Sequence, residues 1–333
     1  MTKIEWTDRT WNPNQGCTKV SEGCKNCYAE KMHKRLNAMG IDKYQNDFNK
    51  VQLWLQSLTE PTKWKKPSKV FVNSMSDTFH RNLTFEKIDE VFKTMKHCNK
   101  HTYQVLTKRP DRALEFIEWK RKQPGIIKTW KFSDNIWMGV TIENQEQANK
   151  RIPLLLEIPA KVRFVSVEPM LGPVDLEFIE QFNSENKHVC YYQVLKPIKN
   201  SNDANRPALN WVICGGESGH NARPMHPDWV RSLRDQCEAA NVPFFFKQWG
   251  MWHTKWVNMT NNTYVFKMYT SYQQFTQKNW VNKGDACIDM DGKILKRGAD
   301  FIDANYPVCI MSKTGNKQAG RTLGGKEYKQ FPK

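Results

Sequence analysis

Six short apolar runs divide the first 250 residues, and almost every one ends in polar or ionisable side chains. They lie at 69–74, 102–107, 136–142, 162–167, 209–214 and 242–246. Each is rich in β-branched and aromatic residues and nearly continuous in apolar character, as in parallel strands covered on both faces. Stretches with helical spacing separate most of them, at 84–98, from 110 to about 122, from about 145, and at 227–240. Strand then helix, repeated, builds βα units and a parallel sheet. A short strand before residue 17 brings the count to about seven.

Such units wind either into a doubly wound open sheet or into a barrel. The strand ends decide the expectation. Ser74 and Asp77, Thr107 and Lys108, Thr141 and Glu143, Ser166 and Glu168, Glu217, and Lys247 with Gln248 all stand at the same end. A barrel draws its chemistry from the C-terminal ends of several strands, whereas an open sheet uses mainly those beside its switch point. The expected fold is therefore α/β, a complete or partial (β/α) TIM-like barrel of about six to eight parallel strands over residues 1–250. Residues 251–333, with Trp252, Trp256 and Trp280 among many Asn, Gly and Lys, read as a small β-rich appendage. Helices are also expected at 27–39 and 46–58, and 181–208 reads as an inserted loop.

The chain carries 51 Lys and Arg against 34 Asp and Glu, a net charge of +17. That balance favours an acidic partner, of which nucleic acid is the commonest; a coding bias that merely solubilises the surface is the bland alternative. The sequence has no apolar run long enough for a membrane helix and no apolar leader after Met1, so an intracellular protein with no membrane partner is expected. Nine cysteines in that setting argue for reduced thiols or metal ligands. Cys98, Cys190, Cys214, Cys237, Cys287 and Cys309 are scattered and read as core.

Cys17, Cys24 and Cys27 are different. Six residues separate the first pair and two the second, so the three thiolates can converge on one centre. A structural zinc takes four protein ligands, and three leave one position open for chemistry. An iron–sulfur cluster held by three cysteines likewise leaves one iron free. Two other readings fit the same cysteines. A closed zinc site would recruit His33 as fourth ligand in a non-catalytic nucleic-acid-binding protein. A zinc-dependent hydrolase or deaminase would use a glutamate as base, although the cysteine pattern of the zinc nucleobase deaminases is absent.

Several short motifs follow one another along the chain: Trp11-Asn12-Pro13, Gly16-Cys17-Thr18-Lys19-Val20-Ser21, Cys27-Tyr28-Ala29-Glu30, Ser74-Met75-Ser76-Asp77, Leu106-Thr107-Lys108-Arg109-Pro110, Ser166-Val167-Glu168-Pro169, Gly215-Gly216-Glu217-Ser218-Gly219 and Phe246-Lys247-Gln248-Trp249-Gly250. In these the chain resembles the phage three-cysteine-motif protein family, whose function is unsettled, over residues 4–250 and 315–332. That family is similar to the radical S-adenosylmethionine enzymes. The resemblance implies a 4Fe-4S cluster on Cys17, Cys24 and Cys27, with S-adenosyl-L-methionine on the open iron. It further implies an electron-donor protein, a possible phage-encoded partner, and the cytoplasm, that of the host cell for a phage protein. The superfamily usually places three residues in the first gap and an aromatic residue before the third cysteine; here the gap is six and Asn26 takes that place.

Candidate cofactor-binding residues are Ser74, Ser76, Asp77, Glu143, Glu168, Gly215, Gly216 and Glu217. Two glycines let backbone approach a ligand closely, and Glu217 can accept from an amine or ribose hydroxyl; a tight turn with a capping carboxylate is the bland alternative. Lys108, Arg109, Arg223, Lys247 and Gln248 are candidates to grip a substrate phosphate or carboxylate, or else to neutralise those same glutamates. Catalytic candidates are Glu143, Glu168 and Lys108. His80 reads as a proton carrier or a helix-cap neighbour.

Overall fold

Side-chain alternation explains how the sheet is covered. In the run 136–142, Ile136, Met138, Val140 and Ile142 enter the large core beneath the helices, while Trp137 joins an aromatic cluster on the other face. The computed structural model describes residues 4–182, 188–200, 203–259 and 271–332, except 278, 280 and 282. Seven strands form one parallel sheet: β1 (Arg9–Trp11), β2 (Lys69–Val72), β3 (Thr102–Thr107), β4 (Ile136–Ile142), β5 (Arg163–Val167), β6 (Trp211–Gly215) and β7 (Phe244–Gln248). Their spatial order is their chain order, and every neighbouring pair is parallel. The order never reverses, so there is no switch point. β1 and β7 are the two edges, and the sheet is a half-barrel, a partial (β/α) barrel.

Helices α1 (Tyr28–Ala38), α2 (Phe85–His97), α3 (Pro110–Arg121), α4 (Gln145–Glu157) and α5 (Pro227–Ala239) accompany these strands. Thr84 and Asn144 start α2 and α4 by accepting the amides of Lys87 and Gln147. The expected helix at 46–58 is not formed. Gln52–Leu53 pairs antiparallel with Asn14–Gln15, and Leu55–Thr59 makes only a short 3-10 turn. A backbone partner next to the cysteine loop overrides the local helical spacing. Among the described residues, no helix stands between β5 and β6. Two hairpins take its place, Ile179–Phe182 with His188–Tyr192 and Ile198–Asn200 with Asp203–Arg206. Leu176, Ile179, Val194 and Leu195 of this stretch enter the main core where a helix would pack. Residues 183–187 and 201–202 of the expected inserted loop lie outside the described residues.

The concave face is filled at its lower end by Trp6, Phe164, Trp211, Ile213 and Phe245, with Phe331 against them. Gly139 leaves room there: a Cβ on it would meet the Phe164 ring at 2.5 Å. Both ends of the chain thus plug the bottom of the half-barrel. Trp6 lies 4.7 Å from Phe71, and Phe331 lies 5.2 Å from Trp211, whose indole donates to the Gln330 carbonyl at 2.9 Å. The tail also pairs with the edge strand β7 through Phe245 and Lys329.

The β-rich appendage contains a four-stranded antiparallel sheet, β8 (Trp252–Met259), β9 (Asp285–Ile288), β10 (Ile294–Leu295) and β11 (Val308–Lys313), in the order β8-β11-β9-β10. Trp252 is buried within it. Trp280 and the side chain of Trp256 lie outside the described residues. No helix among the described residues is long and apolar enough to cross a membrane.

Candidate functional site

The loop of Cys17, Cys24 and Cys27 leaves β1 and lies over the C-terminal ends of the strands. Two glycines bring it there. Gly16 has φ +80° and sits so close to the Phe48 and Lys50 carbonyls that a Cβ would lie 2.7 Å from each. Gly23 would carry its Cβ 2.7 Å from a Glu143 oxygen. All three cysteines are half-buried, whereas Cys98, Cys214, Cys237, Cys287 and Cys309 are buried as expected of core residues; the Cys190 side chain lies outside the described residues.

Three carboxylate–arginine pairs fasten this loop, each from a different part of the rim. After β2, Asp77 accepts from Thr107 Oγ1 at 2.7 Å, the Lys108 amide at 3.0 Å and Arg109 at 3.2 Å. Arg109 then donates to the carbonyl and hydroxyl of Thr18, each at 3.0 Å, and lies 3.8 Å from Cys17 Sγ. At the end of β4, Glu143 accepts from Arg151 of α4 at 2.8 Å. Its other oxygen accepts from the Ser21 hydroxyl and, at 3.2 Å, the Gly23 amide. Beyond β6, Glu217 accepts from Arg223 Nη2 at 2.7 Å and from Asn26 at 3.0 Å, and Arg223 also donates to the Glu22 carbonyl at 3.1 Å.

The electrostatics follow this packing. Burial pushes the Cys17 thiol up to about 11, with Asp77 adding and Arg109 opposing. Burial also works to raise Glu217, but hydrogen bonds from Arg223 and Asn26 outweigh it and hold the carboxyl below its ordinary value. Burial and the neighbouring Arg109 lower His80 to about 4, although Asp77 opposes them. The His80 ring shares a 2.8 Å hydrogen bond with Thr18 and accepts the Asn82 amide at 3.1 Å.

The remaining expected site residues divide by what they touch. Ser74 donates to Asn12 at 3.1 Å and Ser76 to the Gly16 carbonyl at 2.7 Å, so both brace the loop's entry. The glycines after β6 serve close approach of backbone: a Cβ on Gly216 would sit 2.0 Å from the Trp249 carbonyl. Gly215 lies beside Glu168 and Lys247, which pair at 2.6 Å with about a fifth of each side chain exposed. Gln248 donates to Ser218 at 3.0 Å. The half-buried Lys108 ammonium has no side-chain partner among the described residues. Of the four acidic rim residues, then, Glu168 is the one not spent on the cysteine loop.

Among the described residues, no three His, Cys, Asp or Glu side chains gather closely enough to hold a single metal ion. With Zn–S bonds of about 2.3 Å, one zinc needs its sulfurs within roughly 4 Å of each other. A cubane places each cysteine on its own iron and so keeps the sulfurs farther apart. The donor set itself, three half-buried thiols on one loop, is of the kind that holds such a cluster. His33 is engaged by aromatic neighbours. Its ring is buried against Tyr44 at 5.5 Å and Phe48 at 5.3 Å.

Recesses of about 450 Å³, lined by Lys293, Lys296 and Arg297 among others, and about 430 Å³, lined by Arg163, Leu195 and Pro243 among others, open away from the cysteine loop.

A family model described as protein of unknown function (DUF5131) matches residues 1–332. The chain belongs to the DUF5131 family. The match spans the half-barrel, the appendage and the returning tail of this DUF5131 chain together. No curated protein and no solved structure matches it.

Sequence reasoning missed Arg151, Ser21 and Asn26 as partners of the rim carboxylates, and Thr18 as the acceptor of Arg109. The loop residues stand inside the cysteine motif and invited attention. Arg151 lies mid-helix, where nothing local marks it.

Proposed function

We propose that this DUF5131 protein is an iron–sulfur enzyme of the radical S-adenosylmethionine type that acts on a nucleic acid or nucleotide. One observation carries the reading. Three half-buried cysteines ride on a single loop that is fastened over the C-terminal rim of a parallel half-barrel, where such folds place their chemistry. Cys17, Cys24 and Cys27 would hold a 4Fe-4S cluster. With S-adenosylmethionine bound at its open iron, that group would supply one-electron cleavage and hydrogen abstraction.

The chain's own residues supply orientation. Asp77–Arg109, Glu143–Arg151 and Glu217–Arg223 fix the loop before any cofactor arrives. Glu168 and Lys247 then present a carboxylate and an ammonium side by side at the rim, matched to a ligand that carries both charges. Lys108 adds a cation for a phosphate or carboxylate. The net charge of +17 suits a polyanionic substrate.

Anaerobic reconstitution tests this directly. The expected result is a brown protein with about four irons per chain, which loses them when Cys17, Cys24 and Cys27 are replaced by Ala. Incubation with S-adenosylmethionine and a reductant should then release deoxyadenosine. A colourless protein that takes up zinc and no iron would overturn the reading.

A further inference from the structure

The helix that follows the third cysteine carries a face which the cysteine chemistry does not use. Helix α1 exposes Tyr28, Lys31, Lys34 and Arg35 on its outer side, next to Lys25 of the cysteine loop. Tyr28 is 62 % exposed. Glu30, the one acidic residue of α1, is occupied by Lys19 at 3.3 Å and Lys34 at 3.4 Å. Lys25, Lys31 and Arg35 have no acidic partner among the described residues. Tyr28, Lys31 and Arg35 stand three and four residues apart, so they form one stripe roughly 10 Å long.

This stripe borders the candidate site. The Lys31 ammonium lies 3.3 Å from where a Cβ on Gly219 would be, in the turn that follows Glu217. We propose that the outer face of α1, together with Lys25, docks a single strand of nucleic acid beside the cysteine loop, with Tyr28 as the stacking platform and Lys25, Lys31 and Arg35 on phosphates. Stacking on an exposed ring plus a line of cations is how single strands are held without sequence readout. The assignment rests on the proposed nucleic-acid substrate and locates where that substrate sits.

A second basic patch offers a comparison. Lys63, Lys65 and Lys66 are exposed at the opposite end of the half-barrel, around Trp64. There the ring is already engaged, with Arg9 5.2 Å above it and His101 against it at 5.5 Å. It has the charge but no free platform.

The test is binding of a short fluorescent oligodeoxythymidylate and the matching oligouridylate by the full chain, titrated over a range of salt. Replacing Lys25, Lys31 and Arg35 together by Ala should weaken binding and reduce the slope of log affinity against log salt by about two, at roughly 0.7 per phosphate contact. Tyr28→Ala should weaken binding roughly fivefold to a hundredfold and leave the slope unchanged. These side chains are exposed, so melting curves should match those of the unaltered protein. Binding of one oligonucleotide alone, lost in the same variants, also supports the proposal and names the sugar. Unchanged binding in both α1 variants, with loss on replacing Lys63, Lys65 and Lys66, overturns the proposal and leaves the nucleic-acid reading standing. If the unaltered protein binds neither oligonucleotide at low salt, both fall.

Discussion

Glu143, at the end of β4, accepts the guanidinium of Arg151 at 2.8 Å and has no exposed surface. Its second oxygen holds the cysteine loop through Ser21 and Gly23. Breaking one partner of a buried, hydrogen-bonded pair leaves an uncompensated charge and typically costs about 3–5 kcal/mol. Glu143→Ala should therefore lower stability by about that much in chemical denaturation, and Glu143→Gln by less. Gly23→Ala leaves the pair intact but puts a methyl 2.7 Å from the carboxylate. It should raise hydrogen exchange in residues 17–27 and reduce iron retention with little loss of global stability. Unaltered exchange in the loop would show that Glu143 does not hold it.

The concave face gives a prediction independent of function. Gly139→Ala forces a methyl into the Phe164 ring, 2.5 Å away, in a cluster with no slack. Overpacking of this kind costs about 1–3 kcal/mol. Thermal unfolding of the variant should show it, and a fully neutral substitution would mean that the plug at the bottom of the half-barrel can shift.

His33 separates the two metal readings. Its ring is buried between Tyr44 and Phe48, and burial lowers its pKa. His33→Ala should cost stability through lost packing and leave the metal content per chain unchanged. Loss of one bound zinc on this substitution would instead restore the closed Cys17, Cys24, Cys27 and His33 site.

Stability should fall on mild acidification. Burial lowers the pKa of His33, His101 and His226 below 6.5, and for His226 it outweighs Asp228. Above 6.5 these rings are neutral in both states and the fold bears no penalty. As the pH drops from there through the folded values, the unfolded chain takes up protons that the folded chain refuses, so stability is lost. Denaturation midpoints should hold above pH about 7 and decline as the pH falls through about 6.5 and below. His226 also caps α5 by accepting the Asp228 amide at 3.2 Å. His226→Asn keeps an acceptor at that cap and should flatten the decline.

The strand positions were legible in the sequence because strands covered on both faces need apolar runs, and 102–107 or 136–142 can do little else. The cysteine triplet was legible because its spacing is local. The half-barrel's winding was inferred from polar strand ends, and the order of β1 to β7 agrees with it. What the sequence did not carry was the division of labour on the rim. Asp77, Glu143, Glu168 and Glu217 look alike as carboxylates after strands. Only the folded chain pairs three of them with Arg109, Arg151 and Arg223 and turns them onto Thr18, Ser21, Gly23 and Asn26, leaving Glu168 with Lys247. Glu143 and Gly23 lie 120 residues apart, and no local pattern encodes a contact made by the closing of a sheet. The segment 46–58 shows the same limit, since its helical spacing lost to a strand pairing with Asn14–Gln15. Local periodicity is a property of the chain, and which side chain answers a buried charge is a property of the packed fold.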